Sequence, residues 1–121
     1  MKPLTLLAAT TLLQGALSAG ISVFDGPDCT GKETDIHIDA DSTVPNIRAF
    51  SSYRENGWGQ HEQRMQFYRS GAPGQCAGDF LYDTWAYDGE YFRSRQCYNI
   101  IDHPDTHWRY ARCIKSVHRS P

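Results

Sequence analysis

Leucine is nearly missing from most of this chain. Seven occur in 121 residues; six precede residue 18, and Leu81 is the only one beyond it. That is a poor recipe for a helix bundle. No stretch of ten residues reads as a convincing helix. The longest apolar run, Leu4 to Leu13, falls short of the roughly 20 residues that span a bilayer. There is no C-x2-C pair and no close Cys/His grouping, which argues against a zinc site. No G-x-S-x-G nucleophile elbow is present. No N-x-S/T acceptor occurs, so N-glycosylation is not expected. Charge of one sign is not in excess either. Twelve basic and fourteen acidic residues give −2, with a pI of about 6.2. That excludes a nucleic-acid binder working by bulk charge.

Residues 1 to 20 read MKPLTLLAATTLLQGALSAG. Lys2, the apolar run and the small residues Ala16 to Gly20 form the three regions of a secretory signal peptide. Cleavage is expected between Ser18 and Gly20, leaving a signal peptide of residues 1–19 and a single secreted β-domain of residues 20–121. Loss of Lys2 leaves eleven basic and fourteen acidic residues, a charge of −3. All fifteen aromatic residues stay, with seven Ile and three Val. Aromatic and β-branched side chains without Leu make a β-type core.

The patterning agrees. Gly20–Phe24 alternates and then meets the turn cluster Asp25-Gly26-Pro27-Asp28. In Thr34–Asp39, Ile36 and Ile38 alternate with Asp35, His37 and Asp39. Ile47–Tyr53 reads as a strand before an Asn56-Gly57 turn. Arg64–Arg69 alternates Met65 and Phe67 against Gln66 and Tyr68. Phe80–Tyr82, Tyr98–Ile101 and a long Trp108–Val117 complete the set. Trp85 to Phe92, with Asp88-Gly89 between aromatics, carries the strongest hairpin signal. Short strands with frequent turns predict an all-β fold, a small disulfide-stapled sandwich or compact barrel.

Two segments resemble each other. Val23 to Gly31 and Gln66 to Gly78 each place a strand, a Gly/Pro turn and Cys-x-Gly. Each half later carries a Ser-containing β-segment, Ala49–Arg54 and Cys113–Arg119. Phe24 to Gly31 and Phe67 to Gly74 both hold an aromatic, six residues and a glycine. In this the chain resembles βγ-crystallin-like domains, which implies two Greek-key halves. The signal peptide, the Cys-x-Gly after an aromatic strand and the Cys113-Ile114-Lys115-Ser116-Val117 ending are also similar to small secreted cysteine-rich proteins of filamentous fungi. That resemblance implies a non-enzymatic effector or elicitor acting between fungus and host.

The four cysteines, Cys29, Cys76, Cys97 and Cys113, lie beyond the signal segment and are even in number, so two disulfides are expected. Three pairings exist. The favoured one joins Cys76 to Cys97 across the Asp88-Gly89 hairpin and Cys29 to Cys113 between the two ends of the domain. In the loop-entropy model these contribute about 3 and about 4.5 kcal/mol.

Several groups are candidates for chemistry. The crystallin resemblance draws attention to Asp39, Asp41 and Ser42 as partial calcium ligands, against a plain solvated loop; no metal is expected to be required. His103 and His107 stand four apart near Asp102 and Asp105, but Pro104 between them favours a turn. His61, Glu62 and a distant histidine such as His107 could serve acid–base cleavage of RNA. Phe80, Tyr82, Trp85, Tyr87, Tyr91 and Phe92 crowd into thirteen residues, interleaved with Asp79, Asp83, Asp88 and Glu90. Most are expected in the core. Trp85, Tyr87 and Tyr91 are the candidates for binding a partner, because Trp and Tyr dominate hot spots. The expectation is a secreted, non-enzymatic effector- or elicitor-like protein that binds a host protein or cell-wall polysaccharide. It uses no cofactor, binds no nucleic acid and does not insert stably into membranes. The alternatives are a secreted antimicrobial toxin and a small secreted hydrolase such as a ribonuclease.

Overall fold

The computed structural model describes residues 18–119; nearly all of the signal segment therefore lies outside the described residues. Eight strands run β1 Ala19–Phe24, β2 Glu33–Ile38, β3 Thr43–Val44, β4 Ser52–Gly57, β5 Gln63–Ala72, β6 Gln75–Trp85, β7 Cys97–Asn99 and β8 Cys113–His118. Two single-turn 3-10 helices, Pro27–Cys29 and Ile100–Asp102, are the only helical elements among the described residues. The strands form two antiparallel four-stranded sheets, ordered β2-β1-β4-β7 and β3-β8-β5-β6. They enclose one shared core, a β-sandwich.

The order has an internal symmetry. Residues in β1 to β4 make one half and β5 to β8 the other. Each half pairs its first strand with its second and fourth, and each hands its third strand to the opposite sheet. The exchange interlocks the halves.

Alternation in the sequence decides which side chains face inward. In β2, Ile36 and Ile38 are buried while Asp35 and His37 are exposed. In β5, Met65 and Phe67 are fully buried between half-exposed Arg64, Gln66 and Tyr68. The core is aromatic at its centre. Phe67 stacks on Tyr53 at 5.0 Å and lies 5.1 Å from Tyr82, with Phe50 edge-on at 6.3 Å. Isoleucines 21, 36, 38, 100 and 114 fill the space around these rings.

The disulfides differ from the favoured pairing. They join Cys29 to Cys97 and Cys76 to Cys113, not Cys76 to Cys97 and Cys29 to Cys113. The physical reason is the strand exchange. Cys97 belongs to the second half of the chain, but its strand β7 pairs with β4 in the first sheet, opposite Arg54. The 3-10 turn carrying Cys29 is anchored to the same strand, its amide donating to Ser52 Oγ at 2.8 Å. Cys76 opens β6 opposite Gly71, and Cys113 opens β8 opposite Tyr68, both flanking β5 in the second sheet. Each disulfide therefore staples one sheet.

Three local expectations also change. Asp88-Gly89 does not close a hairpin. Trp85 ends β6, and residues 86–92 fold across the end of the sandwich with only an isolated Gly89–Phe92 bridge. Phe92 is fully buried and holds this crossing down. The last strand begins at Cys113 rather than Trp108, and Ile47–Phe50 precedes β4 as an irregular segment tied to Ala111 by paired amide bonds of 3.0 Å.

Candidate functional site

Residues 103–112 form the irregular connection into β8, and its own side chains explain why it is not a strand. Pro104 has no amide hydrogen to give a ladder. The Asp105 amide donates to His103 Nδ1 at 3.0 Å, and the Trp108 amide donates to Thr106 Oγ1 at 3.1 Å. Such local bonds compete with sheet pairing. The segment is pinned at both ends. His103 is buried, stacked on Tyr82 at 3.9 Å. Ala111 is buried against Phe50, and the Arg112 amide donates to the Tyr68 carbonyl at 3.0 Å. The residues between are pushed outward.

The result is a surface cleft of about 540 Å3 lined by Arg69, Arg109 and Arg112 together with His107, Trp108, Tyr110 and Ala49. No carboxylate lines it, although the chain as a whole is acidic. Arg69 reaches from β5 and lays its guanidinium over the Trp108 ring at 3.5 Å, a cation–π contact that fixes both groups. Tyr110 is half exposed. Among the described residues, Arg109 and Arg112 have no carboxylate within 4.0 Å. Three smaller clefts adjoin. One shares Arg69 and Arg112 and adds Asp79; another shares Arg109 and Tyr110 and adds Asp28 and Ile101; the third shares Arg112 and adds Arg48.

A second large cleft, about 600 Å3, lies over the first sheet and has the opposite character. Its carboxylates are engaged within it. Asp35 accepts from Ser22 Oγ at 2.7 Å, Glu55 accepts from the Arg95 amide at 2.9 Å, and Glu33 lies 4.0 Å from Arg54.

The residues singled out from the sequence are dispersed. Trp85 is half buried, with Arg64 over its ring at 4.5 Å. Tyr87 is partly exposed, stacks on His61 at 3.8 Å and lies tilted against Trp58 at 4.7 Å. Tyr91 packs inward against His103, Tyr82 and Tyr98. Trp85, Tyr87 and Tyr91 thus make no single open platform. They also lie away from the arginine cleft: Arg64, beside Trp85, and Arg69 are five residues apart along β5, about 17 Å at strand rise.

The histidines separate too. Burial pushes the His103 imidazole below its ordinary value, against the pull of Asp105, Glu90 and Asp83. His107 lines the cleft beside Trp108. Glu62 has a histidine neighbour, but it is His118, at 3.5 Å on the exposed end of β8. Two of the three calcium candidates are held by contacts within the secreted domain. Asp41 accepts from the His118 amide at 2.9 Å and Ser42 Oγ donates to the Asp39 carbonyl at 2.6 Å, while the Asp39 carboxylate accepts from the hydroxyl of Ser18, a residue of the signal segment. No group of three metal-ligating side chains converges among the described residues. No helix among them is long and apolar enough to cross a membrane.

No known protein family matches the chain, and neither a curated protein nor a solved structure shows significant similarity to it. The arginine cleft therefore has to be argued from its own residues. A signal for it was present in Trp108-Arg109-Tyr110-Ala111-Arg112, where basic and aromatic residues alternate. Reading that run as the start of a long final strand hid it.

Proposed function

We propose that this chain is a secreted, non-enzymatic effector- or elicitor-like protein that binds a host or cell-wall component outside the fungal cell. The observation that carries the reading is the cleft of residues 107–112. It offers three guanidinium groups and exposed aromatic surface, the equipment of recognition. It lacks a carboxylate to pair with His107 in acid–base work. His61, considered for that role, is stacked on Tyr87, and His103 is buried.

Secretion is supported by the signal-like segment and by two disulfides, which persist in oxidising compartments. The exchanged third strands support kinship with the crystallin-like Greek-key pattern, as does positive φ at Gly31 and Gly78, the glycines two residues after Cys29 and Cys76 (+83° and +72°).

Infiltration of the oxidised mature protein into plant leaf tissue tests the reading, beside a reduced and alkylated control. Cell death or defence output from the folded form alone is the expected result. RNA cleavage by the same preparation, abolished by His118→Gln, would replace this reading with the hydrolase. Growth inhibition of competing microbes without any leaf response would replace it with the toxin.

A further inference from the structure

We infer that the arginine cleft is a subsite for a polyuronate, a polysaccharide whose pyranose rings carry carboxylates; this rests on the binding function proposed above. Three features of the cleft select that ligand class. The cations are all arginine, and a guanidinium presents a planar fork that matches a planar carboxylate with two parallel hydrogen bonds. Arg109 and Arg112 have no carboxylate partner among the described residues, so their charge is available to a ligand. Tyr110, half exposed at the junction with the neighbouring cleft, offers a ring on which the apolar face of a sugar can lie.

The surroundings argue against denser polyanions. Duplex nucleic acid carries one charge per ~1.7 Å of axis and rewards a long basic track. Here the basic stretch is bordered by Asp79, which lies 3.7 Å from Arg69, and by Asp28, and beyond Arg112 it reaches only Arg48, whose charge is already paired with Asp25 at 3.2 Å. With fourteen acidic residues against twelve basic ones, the remaining surface repels such a polymer. A chain with one carboxylate per sugar ring tolerates those acidic borders. Neutral ring edges can pass Asp28 and Asp79, accepting or donating hydroxyl hydrogen bonds, while the carboxylates sit over Arg109 and Arg112.

The site is built rather than assembled on contact. Arg69 is held by the Trp108 ring, and the backbone of 111–112 is locked to Phe50, Ile47 and Tyr68 by amide bonds of 3.0 Å. Preorganisation of this kind lowers the ordering cost of binding.

Affinity electrophoresis of the oxidised mature protein through gels containing polygalacturonic acid tests the inference. Fully methyl-esterified pectin, the same rings without charge, is the matched control. Polyphosphate and RNA at equal ionic strength report on charge alone. Retardation by polygalacturonate and not by the ester is expected. The Arg109→Gln/Arg112→Gln variant is expected to lose about tenfold or more in affinity, as the loss of charge-assisted bonds dictates. Tyr110→Ala is expected to lose several-fold, and Arg95→Gln, in the separate cleft over the first sheet, to bind as the parent does. An unchanged thermal midpoint establishes that each variant is folded.

Equal retardation by the ester, equal or stronger binding to polyphosphate or RNA, or full binding by the double arginine variant would each overturn the inference. Absence of any polysaccharide binding alongside an intact leaf response would overturn it too, while leaving the proposed function standing. Loss of the leaf response with polyuronate binding retained would instead count against the effector reading alone.

Discussion

The buried tyrosine pair gives a sharp prediction, because its protons can be counted. Tyr53 Oη lies 2.9 Å from the Tyr91 carbonyl and 2.8 Å from Tyr82 Oη. A carbonyl only accepts, so the single Tyr53 proton goes to Tyr91. The Tyr53–Tyr82 bond must then be donated by Tyr82. The two residues look alike, both fully buried and packed against Phe67, yet they are not energetically equivalent. Tyr82→Phe removes one bond and leaves only a spare lone pair on Tyr53, a loss of about 1 kcal/mol. Tyr53→Phe orphans both a buried donor, Tyr82 Oη–H, and a buried acceptor, the Tyr91 carbonyl. That costs about 2–3 kcal/mol, or roughly 10–20 °C in Tm for a domain of this size. Adding Tyr82→Phe to Tyr53→Phe removes the orphaned donor and recovers part of the loss. Thermal or urea unfolding of the two single variants and the double one measures all three differences in a single cycle. The proton assignment fails if Tyr82→Phe costs as much as Tyr53→Phe, or if the double variant loses the sum of both.

The same pair fixes the alkaline limit. Burial raises both phenols well above their ordinary value, so the unfolded chain releases protons the folded one keeps. Stability is complete below about pH 10 and falls as pH rises beyond it; ultraviolet titration should show these two tyrosines ionising only with unfolding. At the acid end, His103 is held neutral by burial, so its contribution is present above about pH 6.5 and is lost as pH falls below it. His103→Phe keeps a ring against Tyr82 and should flatten that part of the pH–stability profile; an unchanged slope would refute the assignment. The disulfides close sequence separations of 68 and 37 residues, each about 4 kcal/mol in the loop-entropy model. Non-reducing peptide mapping should recover Cys29 linked to Cys97 and Cys76 linked to Cys113, and reduction should unfold the protein. A Cβ on Gly71 would fall 1.7 Å from the Pro45 carbonyl oxygen, so Gly71→Ala should cost roughly 1–3 kcal/mol, read as a lowered Tm.

How much of this was legible can be argued residue by residue. Period-two alternation located β1, β2 and β5 well, because each has one face on the core: Ile36 and Ile38, or Met65 and Phe67, leave no choice of orientation. Where burial came from crossing the end of the sandwich, the same apolar pattern misled. Phe92 and Ala111 are buried by irregular chain, and nothing in their spacing distinguishes that from a strand. The aromatic–glycine match falls on different places in the two halves. Phe24 lies on the outer face under Arg54, outside the core cluster, whereas Phe67 lies at its centre. The residue of β5 placed as Phe24 is in β1 is Tyr68: Phe24 pairs with Ser52 at the start of β4, and Tyr68 with Cys113 at the start of β8. Its glycine partner is then Gly78, at φ +72°, after Cys76 as Gly31 follows Cys29.

Strand exchange lies behind both the missed disulfides and the missed cleft. A spacing rule assumes that residues near in sequence pair with one another, and β7 violates it by leaving its own half. Sending β7 to the first sheet obliges the chain to travel back over the end of the sandwich before β8 can pair with β5. Residues 103–112 are that return path. A connection between sheets has no continuous ladder for its backbone, so the His103 and Thr106 side chains accept from the Asp105 and Trp108 amides, and Arg109, Tyr110 and Arg112 turn to solvent. Arg109 and Tyr110 are exposed for the same reason that Cys97 lies beside Cys29. The topology that interlocks the two halves also creates the arginine cleft.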